Sequence, residues 1–196
     1  MPILRYAGVV LAGSALAAVC AHMAVPLFFT PVPLTVQPFA VLLLGLLLTP
    51  RMAAATLAAY LLEGAAGLPV FAPVPAVSGL AHLFGPTGGY LLAYPAAAAL
   101  VSLLWRRARL GTGRGPWRGI GRGFAAALWS AAAGDLAILA CGALWLAALT
   151  HSTAPAAVRF AVLPFLPGEA LKIAGAAGIA AGFNRLRRPN GADLRS

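Results

Sequence analysis

Hydrophobic residues run along this chain in long blocks almost free of charge, and the polar positions gather between the blocks. About 20 apolar residues rising 1.5 Å each cross the hydrocarbon layer of a bilayer, so each block is a candidate membrane-spanning helix. The pattern predicts six: 4–25, 39–49, 52–67, 86–105, 124–149 and 157–186. The first resembles a cleaved signal only superficially. Its apolar run exceeds the usual signal core, no small-x-small cleavage site is clearly bounded, and further spans follow at once. It is read as a retained helix, and residues 1–196 as a single transmembrane domain with no internal repeat.

Two connections break the pattern. PLFFTPVPLTVQP (Pro26 to Pro38) cannot be continuous helix, because each proline removes a backbone donor. The second, Leu68 to Gly85, is also rich in proline and glycine. Lipid cannot satisfy loose backbone, so irregular segments near membrane depth must pack in protein or line a cavity. Two such loops on one face predict a lid over a pocket opening outward.

Composition sharpens the class. Of 196 residues, 61% are hydrophobic and 9% charged, with a mean hydropathy of +0.89; a soluble domain carries about a quarter charged residues. The fold class expected is therefore an all-α, multi-pass integral membrane protein. A net charge of +10 raises the question of nucleic acid. However, the arginines cluster in loops flanking apolar blocks, with no aromatic–basic interleaving of the kind that grips single strands. With six spans and both termini cytoplasmic, Arg5, Arg51, the stretch from Arg106 to Arg122 and the tail Arg185, Arg187, Arg188 and Arg195 all fall inside. Only Arg159 falls outside, and only Lys172 within a span; five or seven spans would put the long arginine loop or the tail on the wrong face. Both Pro/Gly-rich loops then lie on the outer face. Cys20 and Cys141 stand in apolar blocks without CxxC spacing and read as small buried hydrophobes.

Against this background the ionisable residues inside spans stand out: Asp135 in the fifth, Glu169 and Lys172 in the sixth, and Glu63 toward the outer end of the third. A charged side chain at mid-membrane costs about 2.5–3.5 kcal/mol on insertion scales, so such groups face the bundle interior. Glu169 and Lys172, three apart, share a helix face. A continuous sixth helix puts Lys172 midway between Arg159 and Arg185. The preferred reading is a break at Pro164, Pro167 and Gly168 and a new helix with Glu169 in its first turn, where the dipole favours a carboxylate. The pair then either neutralises itself to lock helix packing or anchors a ligand. A proton relay is less well supported, since His22, His82 and His151 lie near span ends. Asp135 is open to both packing and the site.

PVPLTVQPFAVLLLGLLLTPR (31–51), GLPVF (67–71), GPTGGYLLAYP (85–95), GALWL (142–146) and FLPGEALK (165–172) occur in order along most of the chain. Together they resemble the BioY family, the biotin-specific substrate-binding (S) components of energy-coupling-factor (ECF) transporters. The resemblance implies a subunit for high-affinity biotin uptake in the bacterial plasma membrane, with its pocket near the outer face. It further implies a transmembrane coupling (T) protein and a pair of ATPases as partners, although the family includes solitary members. No cofactor is implied, and the chain has no GxxxxGK[ST] phosphate loop of its own. Glu169 and Lys172 match the family's acidic-x-x-Lys pair, which contacts the biotin head group. Aspartate is usual there, and the extra methylene of glutamate moves the carboxylate by roughly 1.5 Å. Gln37 matches the glutamine after the Pro-Val-Pro stretch, and Gly88, Gly89 and Tyr90 match the turn opening the fourth span. Some relatives carry an asparagine in the glycine-rich loop and an arginine just after the tyrosine, where this chain has Val77-Ser78 and Leu91; Ser78 stands in for one of these contacts. Phe71, Phe84, Tyr90 and Trp145 are candidate apolar walls. Gly13, Ala17 and Ala21 form a small-xxx-small stripe. In S components such a stripe docks the T protein; internal packing is the alternative.

Three other readings compete. The same fold could serve another vitamin or a biotin-like compound, given Glu169, Val77 and Leu91. An intramembrane serine hydrolase would use Ser78 with His82, but no GxSxG turn and no third orienting group accompany them. A purely structural assembly subunit would bind no small ligand.

Overall fold

The computed structural model describes residues 2–73, 79–110 and 120–186, with the side chains of residues 2, 110, 120–122, 154 and 185 left aside. The described chain is helical: α1 (Pro2–His22), α2 (Gln37–Leu47), α3 (Pro50–Ala65), α4 (Leu80–Leu83), α5 (Gly88–Leu110), α6 (Ile120–Thr150), α7 (Ala154–Ala161) and α8 (Leu166–Leu186). The first connection is not wholly irregular. Two-residue strands β1 (Ala24–Val25) and β2 (Leu34–Thr35) pair antiparallel, Ala24 opposite Thr35, and close the proline-rich stretch into a hairpin. A ladder this short has no periodic signature in sequence. In the second connection, α4 is a single helical turn.

The helix boundaries have local causes. Leu48 turns extended, the Thr49 hydroxyl accepts from the Met52 N–H at 3.3 Å, and Pro50 takes the first helical position of α3, where a missing donor is harmless. The sixth apolar block breaks between α7 and α8, and the two pieces meet at 58°. Pro167 and Glu169 both sit in the first turn of α8, with the Glu169 N–H bonded to the Phe165 carbonyl at 2.9 Å.

Among the described residues, three helices are long and apolar enough to cross a membrane, α1, α5 and α6, and the bent α7–α8 pair makes a fourth if it is one span. The segments expected as second and third spans are shorter, 11 residues for α2 and 16 for α3. These reach about 16 and 24 Å, against a hydrocarbon thickness of ~30 Å. Pro38 at one end and Thr49-Pro50 at the other keep α2 short. It is also the centre of the bundle, touching α1, α3, α5, α6 and α8, with Ala40, Val41 and Leu42 completely buried.

The small-residue stripe of α1 faces inward. Ala17 and Ala21 are 1% and 0% exposed, and a Cβ on Gly13 would lie 2.5 Å from Thr56 Cγ2 and 3.1 Å from a Leu44 methyl. Gly13, Ala17 and Ala21 therefore pack α1 against α2 and α3, and they offer no surface to a partner in this conformation. The packing favours the alternative the sequence left open beside docking: every fourth residue is small where another helix of the same chain approaches. Gly13→Val is expected to destabilise the isolated chain by about 1–3 kcal/mol through overpacking. Thermal unfolding of the purified protein in detergent, without any partner, measures this; an unchanged midpoint would restore the docking role.

Candidate ligand site

A cavity opens at the end of the bundle where α2, α5 and α8 all begin. It encloses about 530 Å³ of non-atom space, counting its open mouth. Gln37 and Pro38 come from the start of α2; Tyr90, Leu91 and Tyr94 from the first two turns of α5; and Glu169 and Lys172 from the first turns of α8. α6 passes alongside with Asp135, Ile138 and Leu139. The hairpin adds Val32, Pro33 and Thr35, the second connection adds Ala72 and His82, and Thr87 immediately precedes α5. Thus both irregular connections line one cavity, as backbone near membrane depth requires.

The polar groups are few and differently engaged. Lys172 Nζ donates to Glu169 Oε1 at 2.6 Å, with the two side chains 11% and 4% exposed. Asp135 is 3% exposed on the same wall. Among the described residues, the second oxygen of Glu169 and Oδ1 of Asp135 are buried without a hydrogen-bond partner. A buried acceptor left unsatisfied costs about 1–3 kcal/mol, so this wall suits a molecule bearing N–H or O–H donors. Gln37 Nε2 donates to the Tyr60 hydroxyl at 2.6 Å, and that hydroxyl donates to the Val70 carbonyl at 3.0 Å. The relay ties the start of α2 to the second connection. The Tyr90 hydroxyl donates to the Ala161 carbonyl at 2.6 Å, so it is the ring that faces the cavity, with Phe165 at 6.4 Å.

Of the residues singled out in sequence, Gln37, Tyr90, Asp135, Glu169 and Lys172 meet around this cavity. Four others have different surroundings. Gly89 permits a close crossing of α5 and α6, where a Cβ would lie 2.2 Å from Trp145 Cβ and 2.7 Å from the Cys141 carbonyl, and Gly88 lies against the Leu83 carbonyl of α4. Trp145 packs there and donates Nε1–H to the Gly85 carbonyl at 2.9 Å. Phe71 stacks edge-on to Tyr60, 5.5 Å between centroids, and lies 5.0 Å from His82. None of these four is on the cavity lining, and Phe84 is 64% exposed. Ser78 lies outside the described residues. Glu63 takes a hydrogen bond from Ser14 of α1, away from the cavity lining.

Sequence reasoning passed over Tyr60, Tyr94, Thr35, Thr87 and Phe165. Thr35 and Thr87 lie inside the motifs PVPLTVQP and GPTGGY, and their hydroxyls among prolines and glycines were a usable signal. Tyr60 had none, because its partner Gln37 is 23 residues away. Tyr60→Phe keeps the ring but leaves the Gln37 amide and Val70 carbonyl without that partner. It is expected to lower stability by about 1–3 kcal/mol, read as a lower thermal midpoint, while Phe71→Leu should change packing and leave the Gln37 relay intact.

The relatives of this chain can be set beside that geometry. The model of the BioY family matches residues 4–189. A probable biotin transporter BioY of Pyrococcus horikoshii is 37% identical over 150 residues, 76% of this chain and 79% of that protein. The biotin transporter BioY2 of Lactococcus lactis subsp. cremoris is 33% identical over 160 residues, 82% of this chain and 79% of that one. Among solved structures, the S-component for biotin from an ECF-type ABC transporter superposes with a TM-score of 0.80 at 21% identity, covering 94% of this chain and 93% of that one.

Proposed function

The chain belongs to the BioY family, and from that premise we propose that it binds biotin in the cavity between α2, α5, α6 and α8 as the S component of an ECF transporter. The observation that carries the site is the wall formed by Glu169, Lys172 and Asp135. Biotin's ureido ring has one carbonyl acceptor and two N–H donors. Lys172 donates to the carbonyl, and the two unpartnered carboxyl oxygens, on Glu169 and Asp135, accept from the N–H groups. Leu91, Ile138, Leu139 and the Tyr90 and Phe165 rings surround the sulfur ring and aliphatic tail. Gln37 and Thr35 complete the polar contacts, with Ser78 a further candidate from the second connection. In this reading Phe71, Trp145, Gly88 and Gly89 support the site from behind.

The same proposal extends to topology and partners. The single transmembrane domain has six membrane-inserted segments, α7 and α8 counting as one, in the plasma membrane. Both termini and the arginine-rich stretch are cytoplasmic, and the hairpin and second connection lie outside; the distribution of arginines supports this orientation. A T protein and two ATPases supply the energy for uptake, since no phosphate-binding loop occurs in this sequence. The substitution of glutamate for aspartate at 169 favours a second reading, a biotin-like compound with a head group of slightly different size.

Calorimetric titration of biotin into the purified protein tests the assignment. The wild type should bind below micromolar. Lys172→Ala, which strands a buried carboxylate, should bind at least 30-fold more weakly, from about 2–5 kcal/mol for losing one partner of a buried charged pair. Lys172 is the chain's single lysine. Bound biotin should therefore slow acylation of the only side-chain amine, a readout independent of the variant's folding. No heat, no thermal stabilisation and no protection would overturn the biotin assignment.

A further inference from the structure

We infer that the cavity reads the ligand's head group and leaves a tail carboxylate without a charged partner, so that biotin derivatives amidated at the tail are accepted nearly as well as the free acid. The inference rests on the biotin reading above.

The charges on the lining carry it. Among the described residues on the lining, Lys172 is the only lysine or arginine, and its ammonium is already held by Glu169 at 2.6 Å. Asp135 adds a second carboxyl to the same wall. The wall thus carries two carboxyls to one ammonium. Whether or not one carboxyl holds a proton, no positive charge is left over for a ligand's anionic end. A carboxylate pushed beside Asp135 and Glu169 would be repelled in a poorly screening interior. The inner apolar wall gives no alternative, since Leu91 and Ile138 are 2% and 1% exposed.

The arginines among the described residues do not line the cavity. Neither Pro26–Pro38 nor Leu68–Gly85 contains a lysine or arginine, and residues 74–78, read VPAVS, add none. Arg106 follows Tyr90 by 16 positions along α5, about 24 Å away. Arg51 opens α3, beyond the far end of α2 from Gln37. Arg159 is exposed on α7. His82 lines the cavity, but its ring is buried against Phe71. The helix starts of α2 and α5 remain; at a helix N-terminus the preference for an anion over a neutral acceptor is about two- to fivefold in affinity. The tail carboxylate therefore stays at the mouth, in water, where a carboxamide is solvated as easily.

The test compares biotin, its primary amide and Nε-biotinyl-lysine by titration into the intact wild-type protein at neutral pH. Dissociation constants within tenfold of one another are expected. A tenfold or larger loss on amidation, the size of one charge-assisted contact, would overturn the inference while leaving biotin binding intact. Failure of all three to bind would instead overturn the biotin reading, and this inference with it.

Discussion

A buried ammonium and carboxylate 2.6 Å apart set the terms for the rest of this molecule. In an apolar bundle neither charge is tolerable alone; removing one partner of a buried pair costs about 3–5 kcal/mol. The pair can exist only because Glu169 occupies the first turn of a helix that begins inside the protein, where the dipole supports a carboxylate. That in turn requires the break between α7 and α8. The two irregular connections then meet at the same end, because backbone that is not helical needs protein or a cavity beside it. Ion pair, helix break and cavity are one arrangement seen from three sides.

Much of this was legible in the residues themselves. Pro164, Pro167 and Gly168 announced the break, and Glu169 and Lys172 announced their shared face, because prolines and charges are rare and costly in apolar sequence. The aromatics carried no comparable signal. Phe71 and Trp145 were as plausible on a cavity wall as in a helix interface, and only the backbone approach at Gly64 and Gly89 decides for packing. The α1 stripe was ambiguous for a related reason: a small residue marks a close contact without saying whose. The Gln37–Tyr60–Val70 relay was invisible because hydrogen bonds between distant segments leave no spacing in sequence. The two short apolar blocks, 39–49 and 52–67, have the lengths of α2 and α3, 11 and 16 residues, but each helix begins two residues earlier, at Gln37 and Pro50, because prolines set where a helix may start.

Family membership and local chemistry carry different parts of the account. The relatives and the shared fold bear on the class of protein; they say less about the individual contacts. Glutamate at 169 reaches further than aspartate, and Leu91 makes the adjoining surface apolar. Specificity in such a site is a difference between ligands. A wall rich in acceptors and poor in free cations discriminates by head-group donors more than by net charge.

The central helix has a consequence for how the protein is made. At 11 residues, α2 is about half the length needed to cross a bilayer and has Gln37 at its start. Such a segment is not stable in lipid by itself. It becomes so only when α1 and α3, its neighbours in sequence, and then α5, α6 and α8, made later, close around it. During synthesis α2 must therefore wait, half-housed, until the last helix arrives, and the helix that completes its enclosure is the one carrying the ion pair. Assembly in the membrane and completion of the cavity are the same event.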